Sequence, residues 1–280
     1  MTVRGIEPVP SAGGRPPPEP LMARYRPEDL RVFTPEELER YLAPLHVGNP
    51  FEAASDPARW RRMREVLAWE LLYRVEPSLY ERLTSGERLH PSIARWFPAR
   101  LGQVVEVAPG SGRLTVELAP RASRLIAVEP AAALRSMLAA RLAELGLAET
   151  VEIRDGFFDE LPVADGWADV VTACSAFSVD PAHGGDGGLG EMERVCQGGG
   201  LVVIVWPDDP AWLSERGYAH VTFDGPMAVE FADADEAARL CRIFYPEAAE
   251  TVAAAGSRSV PYEVLGVNAP RDLCWKRVER

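Results

Sequence analysis

The sequence predicts an α/β fold built on a doubly wound, mostly parallel sheet. Short apolar runs recur as VVEVA (104–108), LIAVE (125–129), VEIRD (151–155), ADVVTAC (168–174) and LVVIVW (201–206). Helix-like stretches such as RLTVELAP, AALRSMLAARLAEL and GEMERVC lie between them. Parallel strands need crossover connections, usually helices, so this alternation argues for parallel pairing. The third observation is size: 280 residues, 47% hydrophobic and 26% charged, suit one main domain with an appendage.

Residues 1–20 are rich in Pro and Gly without apolar periodicity and read as a disordered arm. Helical signals then fill 21–100, an N-terminal extension that reads as a lid or a packing appendage. Thr34-Pro35-Glu36-Glu37 is a capping box with proline at the first helical position. Asp56-Pro57 opens a second helix, in which Trp60, Met63, Val66, Leu67, Leu71 and Val75 fall near a 3.6-residue period. Shorter helices are expected over 77–83 and 91–97. The β/α alternation defines a main domain over 101–280. Past the fifth strand, MAVEFA leads into a helix capped by Asp233. PYEVLGV and DLCWKRV, separated by the turn-like NAPR, then predict a C-terminal antiparallel hairpin.

A net charge of −12 opposes a phosphate backbone, which excludes nucleic acid as the expected partner. The basic cluster Arg59–Arg64 interleaves with apolar residues at helical spacing and reads as a solvated helix face. No apolar run is long enough to span a bilayer and the N-terminus lacks a secretory h-region, so no membrane partner and a cytoplasmic location are expected. Cys174, Cys196, Cys241 and Cys274 are scattered, as are His46, His90, His183 and His220, so no metal site is expected.

EVAPGSGRLT (106–115) ends a strand and opens a helix, as a ligand-binding turn would. A dinucleotide fingerprint needs a third glycine where Thr115 stands, and a carboxylate at Glu106 would repel a pyrophosphate. A phosphate-binding loop would require Gly-Lys-Ser/Thr, which is absent. Read as E-x-A-x-G-x-G, the stretch resembles the first motif of class I S-adenosylmethionine-dependent methyltransferases of the small-molecule, ubiquinone/menaquinone methyltransferase-like group. Ala108 stands where that family has a glycine. Further along, RDGFFDELP resembles the family's D-A-x-x-L-P segment. WADVVTACSAF resembles its fourth-strand pattern, and EMERVCQGGGLVVIVWP its run into the fifth strand, with Gln197 in place of proline. The likeness covers 101–206 well and the first hundred residues hardly at all.

This resemblance implies a Rossmann-like, seven-stranded sheet and an enzyme that uses S-adenosyl-L-methionine as its cofactor. It implies cofactor contacts from Glu106, Ala108, Gly110, Ser111, Gly112, Arg113, Glu129, Pro130, Asp155, Gly156, Phe157 and Cys174. Glu129, seventeen residues after Gly112, would accept the ribose hydroxyls, and Asp155 the adenine amino group, with Phe157 or Phe158 packed on the ring. Arg113 would approach the methionine carboxylate.

Methyl transfer is an in-line displacement, so positioning and exclusion of water carry most of it. A base is needed only for a hydroxyl or protonated-amine acceptor. SAFSVDPAHGG (175–185), beyond the fourth strand, offers Asp180 and His183 as the catalytic acid/base candidates. The family's amino-methylating members often carry an acidic or Asn residue followed by Pro-Pro-aromatic here, which this chain lacks. Glycine costs a helix roughly 1 kcal/mol relative to alanine, so HGGDGGLG (183–190) reads as a mobile loop before a late-starting helix. The expected partners are a small-molecule methyl acceptor and, at most, a second copy of the chain in a homodimer. The competing reading is a non-catalytic cofactor-binding or interaction module that keeps the methyltransferase fold.

Overall fold

The computed structural model describes residues 19–279, so the arm read over 1–20 lies, but for Glu19 and Pro20, outside the described residues. The extension forms helices α1 (Leu21–Arg24), α2 (Pro35–Leu42), α3 (Pro50–Ala53), α4 (Pro57–Val75), α5 (Pro77–Thr84) and α6 (Pro91–Trp96). The capping box at α2 is complete: the Glu37 amide donates to Thr34 Oγ1 at 3.2 Å, and the Thr34 amide to Glu37 Oε2 at 2.8 Å. Asp56 caps α4 by accepting from the Arg59 amide at 2.8 Å. The apolar stripe of α4 buries Trp60, Met63, Leu67 and Leu71, whereas Val75 is exposed at the helix end.

The main sheet follows. Its strands are β1 (Gly102–Val107), β2 (Ala122–Val128), β3 (Val151–Arg154), β4 (Ala168–Cys174) and β5 (Cys196–Val205). They are linked through α7 (Thr115–Leu118), α8 (Ala132–Glu144) and α9 (Gly185–Val195). After α10 (Pro210–Glu215) come β6 (Ala219–Thr222), β7 (Ala228–Glu230), α11 (Ala234–Phe244), α12 (Ala249–Ala255), β8 (Ser259–Pro261), α13 (Tyr262–Leu265) and β9 (Asp272–Arg277). The seven-stranded order is β3-β2-β1-β4-β5-β9-β6, parallel from β3 to β5, with β9 antiparallel to both neighbours. Alternating side chains feed opposite layers. Val105, Val171 and Val202 pack with Leu189 and Met192 of α9; Val104, Val170 and Val203 pack with Leu138 and Leu142 of α8.

Two expectations are corrected here. The C-terminal strands are antiparallel, but β9 pairs with β5 and β6, while the PYEVLGV segment holds β8, which pairs with β7 in a separate two-stranded ribbon. A short connector had suggested a hairpin, yet the chain turns through α13 instead. The glycine run is also not a loop: α9 begins at Gly185. Its glycines admit an aromatic ring, because a Cβ on Gly184 would sit 2.5 Å from Phe177 and one on Gly188 3.1 Å from it. Close packing outweighs the helix-propensity cost there.

A third apolar cluster joins the two ends of the chain. Leu30, Leu38, Met63, Leu67 and Leu71 pack with Val229, Leu240, Ile243, Val260 and Tyr262 from the insertion between β6 and β9. Together these segments form a cap.

Candidate active site

The sheet order reverses between β1 and β4, the place where open α/β sheets bind ligands beyond their strand ends. A cavity of about 690 Å³ opens there. Its floor is the turn after β1 with the segment after β4, and its walls include residues of α4, α5 and the insertion. Three residues that line it, Ala108, Ser175 and Trp206, carry positive φ of 50°, 56° and 52° just past β1, β4 and β5. Non-glycine residues in the left-handed region cost of order 1–2 kcal/mol each, and such strain gathers at functional sites. Gly110, with φ +60°, leaves room where a Cβ would come within 2.8 Å of the Tyr80 hydroxyl oxygen.

Glu129 sits just past β2, almost fully buried, and lines the cavity. Its carboxylate accepts from the Ala131 amide at 2.9 Å and the Gly110 amide at 3.1 Å, which ties the turn to the neighbouring strand. Burial nevertheless pushes its pKa up to about 7, against the lowering effect of the Ala131 amide. Glu106 lies behind the turn, fully buried, and does not line the cavity. Burial raises it to about 7 as well; the Thr115 hydroxyl beside it offsets part of that rise without a formed hydrogen bond. Both its carboxyl oxygens lack a partner among the described residues, so the base of the turn is left wanting a proton or a nearby positive charge.

Arg113 lines the cavity and is held by Glu87. Its Nη1 donates to the Glu87 carbonyl at 3.0 Å and lies 3.3 Å from Oε2, while the Tyr245 hydroxyl donates to Oε1 at 2.8 Å. The guanidinium also lies 5.3 Å from the centre of the Trp206 ring. Cys174 lines the cavity too, and burial pushes its thiol up to about 11, which rules it out as a thiolate nucleophile at neutral pH.

Of the expected site residues, Ala108, Gly110, Ser111, Arg113, Glu129, Pro130, Cys174 and His183 are brought together in the cavity. Glu106, Gly112, Asp155, Gly156, Phe157 and Asp180 do not line it. Gly112 serves packing: with φ +96°, a Cβ there would meet Leu138 at 2.5 Å. Asp155 points to solvent and forms a two-pronged ion pair with Arg135 at 2.9 and 3.1 Å. Phe157 packs in the cap, 4.3 Å beneath the Arg40 guanidinium; Phe158 lines the cavity instead. Asp180 accepts from the Ala182 amide at 2.9 Å and so shapes the turn that carries His183.

The sequence patterns do not announce Glu70, Tyr73, Tyr80, Glu87 and Tyr245 as cavity residues. One signal was available for Glu70: it falls on the buried stripe of α4 beside Leu67 and Leu71, where an acid has no place in a plain packing face. Among the described residues, no group of three or more His, Cys, Asp or Glu side chains is placed to hold a metal ion, and no helix is long and apolar enough to cross a membrane.

Residues 104–200 match the family model for a methyltransferase domain. Uncharacterized methyltransferases of Mycobacterium tuberculosis and Mycobacterium bovis are 30% identical over 135 residues, covering 45% of this chain and 50% of theirs. The chain thus spans about half the length of the curated relatives it matches. A solved complex between the Haloferax volcanii Trm112 methyltransferase activator and a methyltransferase has similar architecture, with a TM-score of 0.50, 15% identity and coverage of 76% of this chain and 98% of that one. The matched segment is similar to a methyltransferase domain, and its sheet has the Rossmann-like architecture of the solved neighbour. The ubiquinone/menaquinone-like subgroup is not singled out by these likenesses.

Proposed function

We propose that this chain binds S-adenosyl-L-methionine over the Ala108–Arg113 turn and transfers its methyl group to a small molecule held beneath the cap. The observation that carries this reading is the pair of buried acids, Glu106 and Glu129, with no ion-pair partner among the described residues at a strand-ending turn with open backbone. A ligand with an ammonium and a sulfonium satisfies such a site, and a pyrophosphate does not.

Glu129 would accept the ribose hydroxyls, as charged acceptors do most strongly. Arg113, with Nη1 engaged by Glu87, would offer its remaining N–H donors to the methionine carboxylate. Phe158 would pack against the base. When bound, the cofactor supplies an electrophilic methyl carbon with a neutral thioether as leaving group. The protein's share is to hold, orient and exclude water, a role for which Tyr73, Tyr80 and Tyr245 line the cavity from the cap side.

Isothermal calorimetry with S-adenosylhomocysteine and with NAD checks the reading. Saturable heat with the former and none with the latter is expected; the reverse pattern overturns it.

A further inference from the structure

Resting on the methyl-transfer reading, we propose that His183 takes the proton from a neutral aromatic hydroxyl acceptor, and that Glu70 positions and stabilises the resulting imidazolium. His183 comes from the turn after β4 and Glu70 from α4, so the pair joins the sheet to the cap across the cavity that both line. Nε2 of His183 lies 3.7 Å from Glu70 Oε1. Glu70 is itself fixed: Arg74 donates to its other oxygen, and Arg74 in turn donates to Glu37 at 2.8 Å. Asp180 shapes the turn from below, and the Gly184 approach to Phe177 sets the direction in which the chain leaves it. A histidine with one ring nitrogen 3.7 Å from a buried carboxylate, and no side-chain hydrogen bond to either ring nitrogen among the described residues, is arranged as a general base whose protonated form the carboxylate can meet.

The charges around the pair select the acceptor. Glu70 already faces Arg74 on one oxygen and His183 on the other, and Glu87 is held by Arg113 and Tyr245, so neither carboxylate needs an ammonium from the acceptor. The acids without a cation, Glu106 and Glu129, belong to the cofactor end. At the acceptor end aromatic rings serve instead: Trp69, next to Glu70 in the chain, and Phe177, packed against Gly184 beside His183, both line the cavity. A flat, uncharged acceptor that must shed a proton to become nucleophilic fits this end. In the step, the acceptor O–H gives its proton to the imidazole and the oxygen forms its bond to the methyl carbon with the pair it keeps. The carbon–sulfur pair stays on sulfur.

The Glu70 carboxylate beside it raises the pKa of His183, against the lowering effect of burial. Burial alone would raise Glu70, but His183, Arg74 and the Tyr41 hydroxyl together hold it below its ordinary value. The groups facing the imidazole are therefore Glu70 and Arg74 from α4, Tyr41 from α2 and Asp180 from its own turn. Two readouts test the proposal on the full chain saturated with S-adenosylhomocysteine or S-adenosylmethionine. In the first, proton–carbon NMR follows the four imidazoles against pH, with His183 assigned by His183→Gln. His183 should titrate above the ordinary histidine value, and at least about one pH unit lower in Glu70→Gln. An unchanged midpoint in Glu70→Gln overturns the pairing.

In the second, mass spectrometry reads methylation of catechol, phenol, aniline and thiophenol. Transfer to the hydroxyl acceptors is expected. It should fall roughly 100-fold in both His183→Ala and His183→Gln, with S-adenosylhomocysteine affinity within about threefold of the wild type; should the alanine variant not fold, the glutamine variant decides. The acidic limb of the pH–rate profile should move to lower pH in Glu70→Gln, which a merely structural role would not produce. Transfer confined to aniline or thiophenol, no transfer to a hydroxyl by cofactor-loaded enzyme, or full activity without His183 overturns the proposal. Absence of S-adenosylhomocysteine binding in the wild type is a separate outcome: it overturns the methyl-transfer reading on which this one stands.

Discussion

At the end of the cavity nearest β1 and β2, Glu129 and the deeper Glu106 make no ion pair among the described residues. At the end under the cap, Glu70 and Glu87 are just as buried but each faces an arginine. The physical consequence differs in sign of need. An isolated buried carboxylate is relieved by a proton or an incoming cation, whereas one that already faces an arginine needs no cation from the ligand. One end is therefore poised for a cationic ligand and the other for a neutral one.

Removing a cation from the paired end should have the largest effect on the protein itself. Arg113→Ala strands Glu87 and is expected to cost about 3–5 kcal/mol of unfolding free energy, read by urea denaturation at pH 7; a loss below about 1 kcal/mol would mean that the pairing is not what holds this wall. The unpaired end should respond in the opposite direction. Glu106 has a folded-state pKa raised from 4.5 to about 7, so the stability linked to its proton is present below about pH 4.5 and is lost as pH rises through 7. Glu106→Gln should lack that falling limb, which makes the ligand-free variant more stable than wild type at pH 8 by on the order of 3 kcal/mol, with the gap closing near pH 5. Parallel melting curves across that range would show whether it does.

Smaller effects sharpen the contrast. Glu129→Gln keeps an acceptor for the turn amides but loses the charge, and should weaken S-adenosylhomocysteine roughly 30-fold by calorimetry, the equivalent of about 2 kcal/mol. Asp180→Ala should cost about 1 kcal/mol through loss of its turn-capping bond and leave S-adenosylhomocysteine affinity unchanged. A collapse of that affinity would return Asp180 to the site.

What the sequence disclosed follows from locality. The glycine spacing at Gly110 and Gly112, the acid ending each of two successive strands, and the strand–helix rhythm are short-range patterns, and they located the turn, Glu129 and the sheet. The cap half of the site depends on distant segments meeting. Tyr245 reaches Glu87 across the cluster that joins α1–α5 to the insertion, and no local pattern announces that contact. Strand β6 was not foreseen, and the partner of β9 was misjudged, because pairing across a sheet is decided by long-range packing. At Gly184 and Gly188 propensity pointed to a loop, while the Phe177 ring needed bare backbone beside it. Phe158 rather than Phe157 lines the cavity, a one-residue choice that only the packing of Phe157 under Arg40 decides.

The most direct measurement is a crystal structure grown with S-adenosylhomocysteine. The account predicts nucleoside density in the cavity between the β1 turn and the cap, with ribose oxygens within hydrogen-bond distance of Glu129 and the amino-acid end beside Ser111 and Arg113. Density that leaves Glu129 and the Ala108–Arg113 turn untouched, with the ligand seated elsewhere, would contradict it.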